Sequence, residues 1–236
     1  MDFKYRSLNK EIKKGLYLVP TPIGNLSDIS LRAIEILKNS DYILCEDTRV
    51  SKKLLSKYNI DVPLVSFHSY NEHKTVQKHI DQILDGKTIS LISDAGTPSI
   101  SDPGFLIVRE SIINDIEINC LPGPTALIPA IVNSGLSSDR FVFEGFIPNK
   151  KGRTKRLKSL IDEERSIIIY ESPKKILKLL SNLISFLGEK RKASISRELS
   201  KIYQENIRGT LKELYDKFEK KNIKGELVIV IDGNKN

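Results

Sequence analysis

Charged side chains follow two predicted strands in the first half of the chain, and their types could support proton transfer. Glu46, Asp47 and Arg49 lie in one group, and His68 begins the other. Carboxylates and an imidazole in one cleft could bind a polar substrate and take up a proton, as a general base does. A solvated cluster of surface ion pairs explains the same residues equally well, so both interpretations stay open.

Residues 93–104, with the sequence SDAGTPSISDPG, have the composition of a ligand-binding loop. The small residues allow a ligand to approach the backbone closely, and Asp94 and Asp102 supply hydrogen-bond acceptors. The segment directly follows a buried apolar run, and such loops often carry binding residues. A tight turn capped by aspartate side chains is the alternative.

Two further loops with prolines and glycines follow predicted strands. Residues 20–25, PTPIGN, contain only Gly24, so they do not match the G-x-G-x-x-G dinucleotide fingerprint and do not predict a pyrophosphate cradle. Their prolines predict a stiff loop of the kind that forms a pocket wall. In residues 121–126, LPGPTA, Gly123 allows close approach and Pro124 suits the first position of a helix. An interdomain hinge fits the same six residues.

Positive charge is concentrated in the second half of the chain. Residues 1–121 hold 15 basic and 16 acidic residues, whereas residues 122–236 hold 23 basic and 14 acidic residues, a net charge of +9. Six of the nine residues at 150–158, KKGRTKRLK, are basic. This pattern predicts a polyanionic partner, most often nucleic acid, held through its phosphates. A solvated charged loop is the plain alternative.

Composition excludes several other classes of protein. The two cysteines form no C-x-x-C, which excludes a disulfide framework and a cysteine zinc site. Both end apolar runs and are expected to be buried. The three histidines form no metal-binding pair, so we expect no metal. No apolar run approaches the ~20 residues that span a bilayer, and the N-terminus lacks the apolar centre of a secretory signal. We therefore expect a cytoplasmic protein without membrane contact.

The elements that must position these residues fall into two groups. In the first half, short apolar runs alternate with helical patterns, which predicts βαβ units and a mostly parallel sheet. The loops described above follow strands, so they should meet at the carboxyl edge of that sheet. In the second half, runs at 193–198 and 202–207 lie three residues apart and predict an antiparallel hairpin. We predict a flexible lead-in at 1–14, an N-terminal α/β domain at 15–121 and a basic C-terminal α+β domain at 122–236.

Nine short motifs stand in a fixed order between residues 15 and 231. They are PTPIGNLxDIxxRA, EDTR, SFHxxNE, SDAGTPxISDPG, LPGPTAxxxAxxxSGL, FEGF, YESP, SREL and KGE. Together they resemble the tetrapyrrole methylase superfamily of S-adenosylmethionine enzymes, in particular its branch that methylates ribosomal RNA. The resemblance implies two α/β domains with the cofactor in the cleft between them, and a homodimer. It also implies methyl transfer to the ribose 2′-hydroxyl of a cytidine in the decoding region of 16S rRNA.

The resemblance also assigns roles residue by residue. It implies that the cofactor is held by Ile23, Gly24, Asn25, Asp94, Ala95, Gly96, Thr97, Thr125, Ala126 and, beside the adenine, Tyr170. Apart from the resemblance, positions at the strand ends make Asp47, Glu46, His68 and Glu198 candidates for the base that takes the ribose proton, and the sequence does not choose among them. Phosphate contacts are expected from Arg49, Lys150, Lys151, Arg153, Lys155, Arg156, Lys158 and Arg197. Gly225 and Glu226 lie in the last motif without a definite role.

Two other functions fit parts of the sequence. A corrinoid or porphyrinoid ring methylase of the same superfamily would carry a Gly-x-Gly-x-Gly first loop, whereas this chain has PTPIG at 20–24. A methylase that acts on such a ring also has no need of a second domain with a net charge of +9. A non-catalytic RNA-binding module would not need the small-residue loop at 93–104. We expect the substrate to be 16S rRNA within the assembled small subunit, because a decoding-region nucleotide is often shaped only after assembly.

Overall fold

The computed structural model describes residues 12–221 and 223–235. The chain divides into two compact units, the first ending at Thr125 and the second beginning at Ala126, whereas the sequence suggested a boundary after residue 121. The predicted lead-in at 1–14 lies mostly outside the described residues.

The first unit contains a five-stranded sheet flanked by helices. Its elements are β1 (Gly15–Leu18), α1 (Leu31–Lys38), β2 (Tyr42–Cys45), α2 (Thr48–Lys57), β3 (Leu64–Ser66), α3 (Glu72–Leu84), β4 (Thr88–Ile92), α4 (Phe105–Ile113) and β5 (Ile118–Cys120). The strand order is β3-β2-β4-β1-β5, and every neighbouring pair is parallel. The prediction of a parallel sheet in this part of the chain is confirmed.

The central strands of this sheet are buried on both faces, which explains why each is an almost continuous apolar run. Leu16 and Leu18 pack with residues of α3 and α4 on one face. Tyr17 and the adjoining Val19 pack with residues of α1 and α2 on the other face. Successive side chains of a strand point to opposite faces, so one strand serves two cores. This two-sided packing fixes the strand ends from which the loops at the carboxyl edge begin.

The second unit contains a mixed five-stranded sheet. Its elements are α5 (Leu127–Ser134), β6 (Phe141–Phe146), α6 (Arg153–Lys158), β7 (Ser166–Glu171), α7 (Ile176–Leu187), β8 (Lys192–Arg197), β9 (Glu205–Thr210), α8 (Leu211–Glu219) and β10 (Leu227–Ile231). The strand order is β6-β7-β10-β8-β9; β6 and β7 are parallel, and the other pairs are antiparallel. Residues of α7 and α8 form the main core with one sheet face, and α5 contacts β8 and β10. The predicted mixed α+β character is confirmed.

The hairpin of the second unit differs from its prediction in one respect. Antiparallel pairing is confirmed, but β9 begins at Glu205, so the predicted strand at 202–207 was placed three residues too early. Glu198 and Ser200 adopt left-handed backbone conformations with φ of 52° and 64°, which ends the extended chain. Tyr203 therefore lies in the connecting loop and is 72% exposed instead of paired. The alternation of apolar and polar residues that predicts a strand does not reveal such a local change of backbone conformation.

The two cysteines also differ from each other. Cys45 is fully buried in β2, as predicted. Cys120 is exposed, so that prediction was wrong. The reason is its position on β5, which forms an edge of the sheet and has a neighbouring strand on one side only.

Candidate functional site

Five chain segments leave the carboxyl edge of the first unit's sheet, because all five strands run parallel. This edge is the usual ligand-binding position of an open α/β sheet. Four of the segments follow strands that are immediate neighbours, in the order β2, β4, β1, β5. The loops that carry the predicted cofactor and catalytic residues of this unit therefore start from adjacent positions.

The loops after β1 and β4 are joined by reciprocal backbone hydrogen bonds. The N–H of Thr21 donates to the carbonyl oxygen of Gly96, and the N–H of Gly96 donates to that of Thr21, both at 2.9 Å. The buried Thr21 hydroxyl also donates to the carbonyl oxygen of Ser93 at 2.9 Å. Sequence reasoning missed Thr21, although a threonine between two prolines in a stiff loop was an available signal.

The loop after β5 packs against both of these loops. The Thr97 hydroxyl donates to the carbonyl oxygen of Pro124 at 3.0 Å. A Cβ atom added at Gly123 would lie 2.8 Å from the Cβ of Pro20, so only glycine permits this approach. Gly96 has a φ of +85°, which glycine adopts without strain. The three loops expected to hold the cofactor thus form one connected structure.

Three predicted cofactor residues do not take part in these contacts between the loops: Asn25 caps a short helix, and Ala126 and Tyr170 belong to the second unit. The Asn25 side chain accepts the N–H of Ser27 at 3.0 Å and caps the short 3-10 helix at Leu26–Asp28. Ala126 precedes the first turn of α5 in the second unit. Tyr170 is the next-to-last residue of β7, also in the second unit. Their cofactor roles stay predictions.

Asp94 connects the β4 loop to the residues after β2. Its Oδ1 accepts a hydrogen bond from the backbone N–H of Asp47 at 3.3 Å. Partial desolvation raises the pKa of Asp94 although that hydrogen bond opposes the rise, and the negative charge of Asp47 adds to it. Asp94 and the next residue, Ala95, are both exposed, so a carboxylate and an unobstructed backbone are available to a ligand.

Glu46 lies in an acidic cluster formed by neighbouring loops. Partial burial raises the pKa of Glu46, the negative charges of Asp102 and Asp94 raise it further, and His68 lowers it. These residues follow β2, β3 and β4, so the fold brings together three of the predicted acid–base and binding segments. A raised pKa is the property that makes a carboxylate better able to accept a proton during a reaction.

Asp47, the neighbour of Glu46, is engaged in local contacts. Its Oδ1 accepts the N–H of Arg49 at 2.8 Å and caps α2, and its Oδ2 lies 2.6 Å from Nη2 of Arg49. The hydrogen bonds from the Arg49 side chain and backbone hold the pKa of Asp47 well below its usual range. This ionised, paired carboxylate is a weak base. The Arg49 side chain is 87% exposed and stays available to a phosphate.

Glu198 is held by contacts within the second unit. Its Oε1 accepts the backbone N–H of Glu226 and the ammonium of Lys201, each at 2.9 Å. Burial alone would raise the pKa of Glu198, but Lys201 and the Glu226 N–H bring it below its ordinary value. A Cβ at Gly225 would lie 2.4 Å from the Glu198 side chain, which explains the glycine there. This geometry favours a structural role for Glu198.

Arg153 differs from its neighbours in the basic segment because it is buried. It is only 8% exposed. Its Nε donates to Oδ1 of Asn182 at 2.8 Å, and its Nη1 donates to the carbonyl oxygen of Pro148 at 3.2 Å. These contacts hold α6 against α7 and the chain before it. They favour a structural role for Arg153 over the predicted phosphate contact.

The other basic residues at 150–158 lie on the surface of the second unit. Arg156 pairs with the carboxylate of Glu144 on β6, so part of its charge is already neutralised. The exposed lysines of the segment are Lys150, Lys151, Lys155 and Lys158. These four ammonium groups are the members of the segment best placed to contact a phosphate.

Arg197, the last predicted phosphate ligand, is also engaged. Its Nε lies 3.4 Å from the carboxylate of Glu205 across the hairpin, and its Nη1 donates to the carbonyl oxygen of Lys224 at 3.3 Å. These contacts join β8, β9 and the chain before β10. They favour a structural role over phosphate binding.

Comparisons with known proteins agree on the family. The family described as Tetrapyrrole (Corrin/Porphyrin) Methylases matches residues 15–215. The "Ribosomal RNA small subunit methyltransferase I" of Synechocystis sp. is 46% identical over 92% of this chain and 78% of its own length. The protein of the same name from Thermotoga maritima is 43% identical over 92% of this chain and 98% of its own length.

Solved structures share the fold at much lower identity. A cobalt precorrin-4 methyltransferase has a TM-score of 0.66 and 17% identity, covering 92% of this chain and 94% of that chain. A diphthine synthase has a TM-score of 0.71 and 13% identity, covering 92% of this chain and 89% of that chain. These proteins act on different acceptors by their names, so the fold alone does not specify the acceptor.

Proposed function

The chain belongs to the tetrapyrrole methylase family, and we propose that it transfers a methyl group from S-adenosylmethionine to small-subunit ribosomal RNA. The observation that carries the proposal is the 46% identity over 92% of the chain with a relative named for that reaction. The finer proposal is methylation of a ribose 2′-hydroxyl of a cytidine in the 16S decoding region. We propose that the substrate is the assembled small subunit and that the reaction takes place in the cytoplasm.

The residues at the carboxyl edge of the first sheet fit S-adenosylmethionine. Gly24 and Ala95 are exposed and add little side-chain bulk, so a ligand can reach the backbone of both loops. The exposed Asp94 carboxylate suits the hydroxyl and ammonium donors of such a cofactor. When bound, such a cofactor would supply a methyl group carried on a positively charged sulfur, which is a good leaving group for transfer to an oxygen.

The protein's own contribution would be positioning and proton transfer. Holding the acceptor oxygen about 3 Å from the methyl carbon is expected to supply much of the rate enhancement. A ribose hydroxyl is a weak acid, so a base assists as the bond forms. We assign this proton to the Glu46 carboxylate, because its pKa is raised, whereas Asp47 is paired with Arg49 and Glu198 with Lys201. His68 stays the alternative base.

A methylase of a corrinoid or porphyrinoid ring is the second candidate, since the structural relatives include one. The first loop and the exposed lysines of the second unit favour RNA instead. Across residues 12–221 and 223–235, no helix is long and apolar enough to cross a membrane, and no group of three or more His, Cys, Asp or Glu side chains is arranged to hold a metal ion.

We also propose that two copies form a dimer. Phe105, Ile112 and Ile113 of α4 are 69%, 63% and 65% exposed. Large apolar side chains grouped on one helix commonly mark a protein interface. Sedimentation equilibrium of the purified protein should give a mass twice that of the single chain. A strictly monomeric protein at micromolar concentration would contradict the dimer.

Radiolabelled methyl transfer to purified small subunits tests the main proposal. The subunits come from a strain that lacks this gene, and the labelled nucleoside is identified by mass spectrometry. We expect label in a 2′-O-methylated cytidine, and less label with protein-free 16S rRNA. No incorporation despite tight cofactor binding would reject the RNA acceptor; a porphyrinoid substrate is assayed in parallel for that outcome.

Neutralising the exposed lysines of the basic segment should weaken RNA binding and its salt dependence. Removing one phosphate contact reduces the slope of log affinity against log salt by roughly 0.7 to 0.9. The slope is measured with labelled RNA over a salt series. The test variant carries glutamine at Lys150, Lys151, Lys155 and Lys158. The control carries glutamine at four exposed lysines of the first unit, Lys38, Lys57, Lys74 and Lys78.

The buried arginine of the segment provides a second comparison. Arg153→Gln should lower thermal stability, because it removes the hydrogen bonds to Asn182 and Pro148, without an equal change in the salt slope. An unchanged slope in the four-lysine variant would show that this segment does not bind RNA.

A further inference from the structure

An exposed aromatic ring stands at the end of the edge strand β6. Phe146 is 59% exposed, although phenylalanine side chains are usually buried. Its ring lies 5.7 Å from that of Tyr170, with 69° between the ring planes. Phe143 contacts the same Tyr170 ring at 4.9 Å. The three rings form an aromatic group on one side of β6 and β7, with Phe146 at its exposed end.

A β-bulge places Phe146 on this side of the sheet. Phe143 and Phe146 are three residues apart, and in a regular strand they would point to opposite faces. The pairing register shifts at Glu144, so Phe143 faces Ile168 while Phe146 faces Tyr170, two positions further along β7. Bulges commonly re-aim a side chain near a functional site. The extra residue therefore turns Phe146 away from the main core and towards the Tyr170 ring.

The basic segment directly follows this aromatic group in the chain and is attached to the same strand. Lys150 follows Phe146 by four residues, which limits the separation of their Cα atoms to about 14 Å. Arg156 of α6 pairs with Glu144, the bulged residue of β6. Arg153 fixes the same helix to α7 through its hydrogen bond to Asn182. These contacts fix α6, which carries Lys155 and Lys158, to the strand that ends in Phe146.

We propose that Phe146, supported by Tyr170, stacks on an unpaired base of the RNA whose phosphates the exposed lysines bind. The inference rests on the proposed RNA substrate. Proteins that bind single-stranded RNA combine aromatic rings, on which bases stack, with a positively charged path for the backbone. The positive charge of the segment that follows the ring favours this occupant over an apolar protein partner. The ring would hold the substrate strand while the first unit carries the reacting groups.

Replacement of Phe146 by leucine tests the stacking. Binding of a labelled single-stranded decoding-region oligonucleotide should weaken by about tenfold, because stacking on a side chain contributes on that scale. The salt slope should stay at the parent value, because leucine removes no charge. Phe146→Trp should restore the affinity. Tyr203→Leu, at another exposed aromatic residue of the second unit, is the matched control and should bind as the parent does.

Calorimetry with S-adenosylmethionine separates this role from a cofactor contact. We expect Phe146→Leu to keep the parent's cofactor affinity and its melting temperature. Parent-like RNA binding by Phe146→Leu would overturn the stacking role and leave the proposed function intact. An equal loss of cofactor affinity would instead assign the ring to the cofactor. Absence of binding by the parent protein to both the oligonucleotide and the assembled small subunit would reject the proposed function and this inference together.

Discussion

Replacing Glu46 with glutamine should lower the rate of methyl transfer by about 100-fold or more, while cofactor affinity changes little. Positioned general bases contribute on the order of 10²- to 10⁴-fold, and glutamine keeps the shape of the side chain but cannot take the proton. Single-turnover transfer to small subunits measures the chemical step, and calorimetry measures the cofactor affinity. A glutamine variant with near-parent rates would remove Glu46 from catalysis.

The pH dependence of the parent enzyme provides a second test of Glu46. Burial and the neighbouring Asp102 and Asp94 charges raise the pKa of Glu46 above its ordinary value of 4.5. The base acts only when deprotonated, so the rate should fall as the pH decreases through that raised pKa. The acid limb of the rate profile should therefore lie above pH 4.5 and disappear in the glutamine variant.

The adjacent aspartate allows the sharpest comparison. Asp47→Asn keeps an N-cap side chain for α2 and removes only the charge that pairs with Arg49. We expect a loss of methyl-transfer rate smaller than that of Glu46→Gln, because the paired Asp47 carboxylate is a weak base. The reverse order, with a large rate loss for Asp47→Asn and a small one for Glu46→Gln, would move the proton-accepting role to Asp47.

Replacing Asp94 with alanine should weaken S-adenosylmethionine binding by roughly tenfold to 100-fold. This range corresponds to about 1.5–3 kcal/mol, the usual contribution of a hydrogen bond to a charged group. The exposed Asp94 carboxylate lies in the loop after β4. Reciprocal hydrogen bonds between Thr21 and Gly96 join that loop to the loop after β1. Isothermal titration of the purified protein with the cofactor gives the affinity directly.

Two further variants show which property of Asp94 matters. Asp94→Asn retains an oxygen for the Asp47 N–H, so it keeps the link between the β4 and β2 loops without the negative charge. If the cofactor affinity of Asp94→Asn lies between those of the parent and Asp94→Ala, both the charge and the hydrogen bonding of Asp94 contribute to binding. Asp81→Ala, at an exposed carboxylate of α3, is the control. Parent-like affinity of Asp94→Ala would exclude Asp94 from the cofactor site.

Much of the first unit could be predicted from local sequence. The runs YILC and TISLI coincide with β2 and β4, because strands buried on both faces are continuously apolar. Their loops carry the motifs, and parallel strands place such loops at one edge. Side-chain period and composition are local properties, so no tertiary information was needed for these conclusions.

The roles of individual charged residues depended on distant neighbours. Glu46 and Asp47 are adjacent and chemically alike, yet burial and charges from other loops raise the pKa of one and a local arginine lowers that of the other. Arg153 and Lys151 belong to one basic run, but only the lysine is exposed. Charge patterning cannot distinguish them, because the burial of Arg153 depends on Asn182 of another helix.

The sequence by itself therefore determined the family, the two-part organisation suggested by its charge, and the loops that carry the motifs. Only the tertiary structure joined those loops through Thr21 and Gly96, and only the bulge at Glu144 turned Phe146 towards Tyr170. The physical reason is that elements form from local periodicity. Hydrogen bonding, burial and pKa instead depend on groups that the fold brings together from distant positions in the chain.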